Sequence, residues 1–276
     1  MLSPTDRTAD VPCCGQHEAR QDMTGKMPSE ISAILQSGNC PLCQMFQALS
    51  ASGREDLGRI LHLASIRAGQ VVVADGEVPP HIGCVIDGIL AMTKALPDGR
   101  KHIVGLLNPT EIYGRIFDGA SAYQIEALTD ATILHFDRRG FEQLLLEVPE
   151  IERLFVVNVM DELDAAREWI LLLGNRKVIE RVAALLLMLS RHKTRQLSPD
   201  QIDPNAPITV HIAIRRVDLA HYLGTRPESI SRAFHELEKR GVMKIMDPNN
   251  FEILGWHALN TIAGHDLNTG TSKLTR

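Results

Sequence analysis

The chain has 276 residues, of which 44% are hydrophobic and 23% charged, and its formal net charge is −5 at pH 7. This balance predicts one or two soluble globular domains, and the net acidity argues against a protein that coats nucleic acid with its whole surface. No stretch approaches the roughly 18 apolar residues of a membrane span, and the N-terminus lacks the order of a secretory signal, so we expect a cytoplasmic protein without a membrane partner.

Residues 1–39 are polar, and we predict a flexible arm with one short helix near 29–36. Prolines and glycines interrupt the segment, and no sustained hydrophobic period runs through it. Cys13 and Cys14 lie in this arm, and Cys40 and Cys43 follow at its end. Five cysteines in all are too few for a disulfide scaffold, so these thiols are core residues, metal ligands or redox groups.

Residues 40–150 are predicted to form an antiparallel β-roll. From about Ile66 to Phe136 the chain consists of short runs rich in β-forming residues, separated by four Asp-Gly pairs. Glycine takes the positive φ of a tight turn without penalty, so each pair indicates a turn. The pairs are Asp75-Gly76, Asp87-Gly88, Asp98-Gly99 and Asp118-Gly119. Cys84 lies in an apolar run of this region, where we expect a buried structural thiol.

A long helix is predicted over residues 151–174. Apolar residues recur there at spacings of four, three, four and three, which is the period of a coiled-coil seam. The stripe consists of Val159, Leu163, Ala166, Ile170 and Leu173. Such a seam favours a homodimer, and packing of the helix on its own β-roll is the alternative.

Residues 175–255 are predicted to form a winged helix-turn-helix, followed by a C-terminal tail over 256–276. Between residues 175 and 246 there are thirteen basic residues against seven acidic ones, so nucleic-acid contact is expected in this part of the chain. A helix over about 176–191 opens the domain, and the short strand ITVHI follows after a loop. Strands near VMKIM and NFEIL would form the wing.

The spacing of Ala220, Gly224 and Ile230 fits a helix-turn-helix. A small residue is needed where the two helices cross, glycine takes the left-handed turn conformation, and an apolar residue packs the second helix on the first. Pro227 suits the first turn of that second helix, because its missing N–H costs nothing there. The recognition helix is therefore predicted over about 227–240.

The exposed N-terminal face of the recognition helix carries the predicted base-reading residues Glu228, Ser231 and Arg232. Arginine can bond guanine O6 and N7 together, glutamate can accept from a cytosine amino group, and serine can reach a base edge. The alternative is a solvated surface with an ion pair between Glu228 and Arg232. Phosphate contacts position a protein on DNA without reading sequence. We predict them at Thr209, Arg215, Thr225 and Arg226.

The order of these elements, over about residues 39–264, resembles the CRP/FNR family of bacterial transcription regulators. The stretch from Asp161 to Arg191 looks like the dimer helix and hinge of the FNR branch, and YLGTRPESISR looks like its recognition motif. The resemblance implies an α+β fold with an N-terminal β-roll, a cyclic-nucleotide-binding-like jelly roll, a long dimerisation helix and a C-terminal winged helix-turn-helix. It also implies a homodimer on double-stranded DNA that reads TTGAT half-sites in an inverted repeat through Glu228, Ser231 and Arg232. RNA polymerase is then a further partner, and the regulated genes serve low-oxygen or nitrogen-oxide respiration.

The cofactor stays uncertain at this point. The CRP branch binds cyclic AMP through a Gly-Glu pair and an Arg-Ser pair, but here Arg115 stands in place of the glutamate and Ala122-Tyr123 in place of Arg-Ser. We therefore do not expect cyclic AMP. The FNR branch senses oxygen with an iron–sulfur cluster on four thiolates, and Cys40-Pro-Leu-Cys43 matches the start of that set. No third cysteine follows, and Leu134 occupies the position of the fourth.

Four interpretations of Cys40 and Cys43 stay open. They are no chemical role, an iron–sulfur cluster completed by Cys13 or Cys14, a reversible thiol switch, and a zinc site. Without a cluster, the regulator would respond to a nitrogen oxide, a small ligand or its own abundance.

Two other classes of protein compete with a transcription regulator. One is a thiol oxidoreductase acting through Cys40-x-x-Cys43, which is disfavoured because no strand precedes Cys40. The other is a β-roll module that regulates a protein partner and needs no basic winged helix. No phosphate loop and no Ser–His–Asp pattern appears, so we do not expect an enzyme.

Overall fold

The computed structural model describes residues 31–32, 35–36, 41–95, 101–117, 119–174, 177–195 and 207–264, without the side chains of 168, 171–172 and 191–195. Cys13, Cys14 and Cys40 lie outside the described residues, as do the predicted turn at 98–99 and Asp118.

Helices α1 (Pro41–Ala48) and α2 (Ala51–Ile60) precede the β-roll. Their buried side chains share one apolar cluster with residues of the roll and, from the segment before α1, with Ile31 and Leu35. These two residues are one helical turn apart and helical in conformation, within the short helix predicted near 29–36. The end of the predicted arm therefore contributes to the core, because its two apolar side chains face the same way.

The β-roll consists of two four-stranded antiparallel sheets in the described part of the chain, with strand orders β1-β8-β3-β6 and β2-β7-β4-β5. The strands are β1 (Leu61–Ile66), β2 (Val71–Val73), β3 (His81–Asp87), β4 (Leu90–Ala95), β5 (Lys101–Leu107), β6 (Ile112–Tyr113), β7 (Gln124–Ala127) and β8 (Ala131–Asp137). Side chains such as Val85, Ile125 and Ile133 fill the space between the sheets. The predicted jelly roll is confirmed, and Cys84 is buried as expected.

The predicted Asp-Gly turns account for the sharp reversals of the roll. Gly76, Gly88 and Gly119 have φ values of 80°, 87° and 107°. At Gly88 the chain also passes so close to Asp130 that a Cβ would overlap the carbonyl oxygen of that residue. Glycine is therefore required at this turn both for its backbone angle and for its size.

Three helices connect the roll to the C-terminal domain: α3 (Arg138–Glu147), α4 (Pro149–Leu173) and α5 (Val178–Arg195). Helix α4 has 25 residues, with Pro149 in its first turn. The negative charges of Glu150 and Glu152 near its N-terminus interact favourably with the helix dipole. No helix among the described residues is long and apolar enough to cross a membrane.

The C-terminal domain has the order of a winged helix-turn-helix. After α5 come β9 (Ile208–His211), α6 (Arg216–Tyr222), α7 (Pro227–Lys239), β10 (Met243–Ile245), β11 (Asn250–Ile253) and α8 (Trp256–Ala263). The tail predicted for 256–276 thus begins with a helix, which packs on α5 and buries Leu259 and Ala263. Its eight residues carry no side-chain N-cap and no charged residue at either end, so the sequence gives little signal for it.

An apolar junction joins the β-roll, α4 and the C-terminal domain. Trp169 of α4 stacks on Tyr222 of α6, with ring centroids 3.9 Å apart. Ala91 and Ile103 of the roll belong to the same buried cluster, and α6 packs on β5. The helix-turn-helix is therefore in direct contact with the β-roll, in addition to being connected to it along the chain.

Glu111, just before β6, has a carboxyl group whose pKa is strongly changed by its surroundings. It is partly buried, and its Oε2 accepts a hydrogen bond from the backbone N–H of Asn108 at 2.8 Å. Burial first, and then the charge of Glu162, raise the pKa of Glu111 to about 7 from an ordinary value of 4.5. The folded chain thus holds a proton that the unfolded chain releases.

We expect Glu111→Gln to stabilise the protein near pH 8 and to have no effect near pH 4. Because the folded state binds the extra proton between about pH 4.5 and 7, the free energy of unfolding of the wild type falls as the pH rises through that window. A neutral glutamine avoids this loss, which is about 2 kcal/mol for a partly exposed carboxyl. Urea unfolding of the wild type and the variant at the two pH values measures the difference in their free energies of unfolding. An equal stabilisation at both pH values would contradict the raised pKa of Glu111.

Candidate nucleic-acid interface

The turn between α6 and α7 has the predicted helix-turn-helix geometry. Ala220 and Ile230 are fully buried, and Gly224 has a φ of 60°. The backbone N–H of Thr225 donates to the carbonyl of Ala220 at 2.9 Å, which closes the turn. Arg181 of α5 was missed by the sequence analysis: its Nη1 donates to the carbonyl of Leu223 at 2.7 Å and so satisfies the end of α6.

The recognition helix α7 is strongly amphipathic. Its buried face consists of Ile230, Ala233, Phe234 and Leu237. Glu228, Ser231 and Arg232 are exposed on the other side. The structure forms no ion pair between Glu228 and Arg232, whereas the alternative interpretation of this surface requires one. Both charged groups are therefore available to a ligand that approaches the N-terminal half of α7.

The predicted phosphate contacts fall into two groups. Thr225 and Arg226 directly precede α7, beside the base-reading residues and at the positive end of the helix dipole, which attracts anions. Arg215 precedes α6, and its side chain is 79% exposed although it pairs with Asp218 at 2.8 Å. That ion pair raises the pKa of Arg215, so its positive charge is retained. Thr209 is exposed on β9, next to the wing.

Arg216 connects both helices to the wing, a role that sequence reasoning did not find. Its guanidinium carbon lies 4.4 Å from the ring centroid of Phe234 on α7 and 5.1 Å from that of Phe251 on β11. Its Nη2 donates to the carbonyl of Pro248 in the wing turn at 2.5 Å. Cation–π contacts and a charge-assisted hydrogen bond thus fix the wing relative to the recognition helix. The excess of arginine in this segment was the available signal, but nothing in the sequence distinguishes Arg216 from Arg215.

The stripe predicted for pairing is largely uncovered on α4. Val159, Leu163 and Ile170 are 43%, 42% and 68% exposed, and Ala166 is exposed as well. Leu173 differs, because it packs against the core of the C-terminal domain. None of the exposed members is buried against the chain's own β-roll, as the alternative required, although Val159 lines an open cavity with Ile116 and Phe117. Exposed apolar side chains grouped in this way are typical of interaction sites.

Comparison with known proteins identifies the family. Models of the cyclic nucleotide-binding domain and of the Crp-like helix-turn-helix domain match residues 63–147 and 180–262. The transcriptional activator protein FnrL of Cereibacter sphaeroides is 32% identical over 244 residues, which are 87% of this chain and 97% of that protein. The chain belongs to the CRP/FNR family of transcription regulators. It carries a helix-turn-helix DNA-binding domain and is not an enzyme.

Two further relatives agree with this membership. The nitrogen fixation regulation protein FixK of Bradyrhizobium diazoefficiens is 31% identical over 220 residues, 77% of this chain and 89% of that protein. The structure of FixK2 from Bradyrhizobium japonicum superposes with a TM-score of 0.65 at 23% identity, over 74% of this chain and 97% of that one. The latter shows that this CRP/FNR regulator has the same fold.

The described residues of this CRP/FNR regulator do not fit an iron–sulfur cluster. Such a cluster needs four thiolates, and the described part of the chain supplies Cys43 on α1 and Cys84 on β3, both buried. Leu134, at the place of the family's fourth ligand, is buried in the core.

The region that holds cyclic AMP in the CRP branch is exposed here. Arg115, Ala122 and Tyr123 lie at the surface around the loop after β6. The loop offers no glutamate for a ribose and no Arg-Ser pair for a phosphate, as the sequence indicated.

Proposed function

We propose that this CRP/FNR regulator acts as a cytoplasmic homodimer that binds an inverted repeat of TTGAT half-sites. It regulates transcription together with RNA polymerase, at genes that respond to low oxygen or redox state. The proposed target sequence rests on one observation: Glu228, Ser231 and Arg232 are all exposed on the N-terminal half of α7. These residues stand at the positions of the FNR-branch recognition motif.

The chemistry of this set suits a mixed half-site. Arg232 offers two parallel donors to guanine, Glu228 accepts from the amino group of the paired cytosine or its neighbour, and Ser231 contacts an adjacent base edge. Thr225 and Arg226 flank them at the start of the helix, where a phosphate would meet both the guanidinium and the positive end of the helix dipole. Recognition and anchoring thus come from one helix end.

Pairing through α4 supports an inverted repeat. A second copy of the chain, related by a two-fold axis, would cover Val159, Leu163 and Ile170 and present two recognition helices one DNA turn apart, about 34 Å. An apolar cavity of about 320 Å³ adjoins the stripe and is lined in part by Phe117, Leu146 and Met160. It extends the apolar surface available to the same partner.

The physiological setting rests on the relatives. FnrL and FixK are described as a transcriptional activator and a nitrogen fixation regulation protein. For the present chain, oxygen-linked or redox-linked control is inferred from its likeness to the FNR branch. The described residues supply two thiolates, so a cluster would need ligands from Cys13, Cys14 or Cys40, and without a cluster the signal is a nitrogen oxide, a small ligand or the protein's abundance.

DNA binding to designed duplexes tests the function. Fluorescence anisotropy would compare a TTGAT inverted repeat, a duplex with scrambled half-sites, and a repeat whose half-sites are moved apart by about five base pairs, half a turn. We expect at least about a hundredfold preference for the intact repeat over both others. The measurement is made on protein purified without oxygen, repeated in air, and accompanied by iron and sulfide assays. Equal affinity for all three duplexes would refute the proposed sequence.

A further inference from the structure

Three histidines from neighbouring strands meet at one end of the β-roll. His62 on β1 lies directly opposite His135 on β8, and Gly83 on β3 lies opposite His135 from the other side. His81 is two residues before Gly83 and therefore on the same face of the sheet. Ile133, two residues before His135, points into the apolar space between the sheets. The three imidazoles thus line the inner face of the roll near its end.

The rings are spaced as ligands of one ion would be. The ring centroids are 4.9 Å apart for His62 and His81, 5.1 Å for His62 and His135, and 5.5 Å for His81 and His135. Two imidazoles bound tetrahedrally to one metal at the usual zinc–nitrogen distance have their centroids about 5 Å apart. All three separations lie close to that value.

The cluster has few hydrogen-bond partners of its own. Of its six ring nitrogens, the described residues provide a partner for one, Nε2 of His135, which lies 2.9 Å from the hydroxyl of Tyr113. Nδ1 of His81 is buried and has no partner among the described residues. Buried polar atoms are nearly always paired, so the unpaired Nδ1 of His81 indicates a place for a ligand.

Tyr113 stands where it can orient one of the rings. Its side chain lies over Gly83, where any Cβ would overlap the tyrosine ring, so glycine at this position makes room for it. With the Nε2–H of His135 donating to the Tyr113 hydroxyl, Nδ1 of His135 keeps its lone pair for a ligand. Metal-bound histidines usually have such a partner on the second nitrogen.

We propose that His62, His81 and His135 bind a divalent transition-metal ion of the zinc class. Imidazole suits zinc, copper, iron and nickel, and three protein ligands leave a fourth position open to water. The carboxylate nearest in register, Asp137, is already used as the N-cap of α3, where its Oδ2 accepts from the backbone N–H of Gly140. The ion would tie together β1, β3 and β8 within the sensor domain.

Binding requires rotation of the rings. In the described part of the chain no group of three or more histidine, cysteine or carboxylate side chains is arranged so that it could hold a metal ion with the side chains in their present positions. The planes of His81 and His135 are only 7° apart, so at least one of them must turn for their lone pairs to converge. Metal binding therefore requires that the rings turn while their centroid separations stay near the present 4.9, 5.1 and 5.5 Å.

Titration of the full-length chain, without a histidine tag, with Zn²⁺ and Co²⁺ tests the site. We expect one ion per chain, and a Co²⁺ spectrum with d–d bands but no thiolate charge-transfer band, which separates this site from the cysteines near the N-terminus. His62→Gln and His81→Gln should each weaken Zn²⁺ binding by at least about tenfold. His257→Gln, an exposed histidine on α8, is the matched control and should bind as the wild type does.

Two results would overturn the assignment. One is Zn²⁺ affinity that is unchanged in His62→Gln and His81→Gln, and the other is a Co²⁺ complex of the wild type dominated by thiolate charge transfer. Circular dichroism of each variant shows whether it is folded. If a variant is unfolded, the Co²⁺ spectrum of the wild type still shows whether the ligands of the ion are histidines or thiolates. Neither measurement depends on which DNA sequence the protein binds.

Discussion

Arg232→Ala is expected to weaken binding to the TTGAT repeat by roughly ten- to a hundredfold per half-site, with little change on unrelated DNA. Arg232 is exposed on α7 and is not held by Glu228, so its guanidinium is available to guanine O6 and N7. A good bidentate contact of this kind contributes about 1–3 kcal/mol of discrimination against other bases. The loss should therefore appear as lost specificity, and a base change at the contacted guanine should have no further effect in the variant.

Arg240→Ala is the matched control for this prediction. It also removes one positive charge, but Arg240 follows the C-terminal end of the same helix, about 12 Å along the axis, where it pairs with Glu236 at 2.9 Å. We expect similar, small changes on both kinds of DNA. Anisotropy titrations over a series of salt concentrations distinguish the two roles, because a phosphate contact lowers the salt dependence on every duplex. If Arg232→Ala weakens both duplexes equally, Arg232 contacts phosphate and does not read the sequence.

The elements that the sequence predicted well are those whose signals are local. The Ala220, Gly224 and Ile230 spacing specified the helix-turn-helix, and α7 occupies Pro227–Lys239 against a predicted 227–240. The wing strands and three described turn glycines of the roll also agree, because each depends on a few adjacent residues. The recognition face followed from the same helical period that buries Phe234 and Leu237.

What the sequence could not predict depends on contacts between distant segments. Arg181 bonds the end of α6 from α5, and Trp169 stacks on Tyr222 more than fifty residues further along the chain. The three histidines of the roll come from β1, β3 and β8 and become neighbours only through the register of the sheet. Their spacing in the sequence, 62, 81 and 135, carries no metal-binding pattern. A single sequence contains no information on such pairings until the fold is known.

Leu163→Glu is expected to convert the protein from a dimer to a monomer. In the single chain Leu163 is 42% exposed, so a glutamate there costs the folded monomer little. In a paired seam the same carboxylate would be buried without a partner, at a cost of at least about 3 kcal/mol per chain, which weakens the dimer by more than a hundredfold. Affinity for the inverted repeat should fall with it, since the two half-sites would be bound independently.

Val157→Glu separates an interface effect from a general effect of charge on α4. Val157 is 44% exposed, nearly as much as Leu163, but lies about 120° away around the same helix. Sedimentation velocity should therefore find a dimer for Val157→Glu and a monomer for Leu163→Glu, each with the helix content of the wild type. If both variants are dimers, the stripe is not part of the interface. If both are monomers, charge anywhere on α4 prevents pairing. Only the split result follows from a seam with the spacing of Val159, Leu163, Ala166 and Ile170, because that spacing places a single face of α4 against the partner.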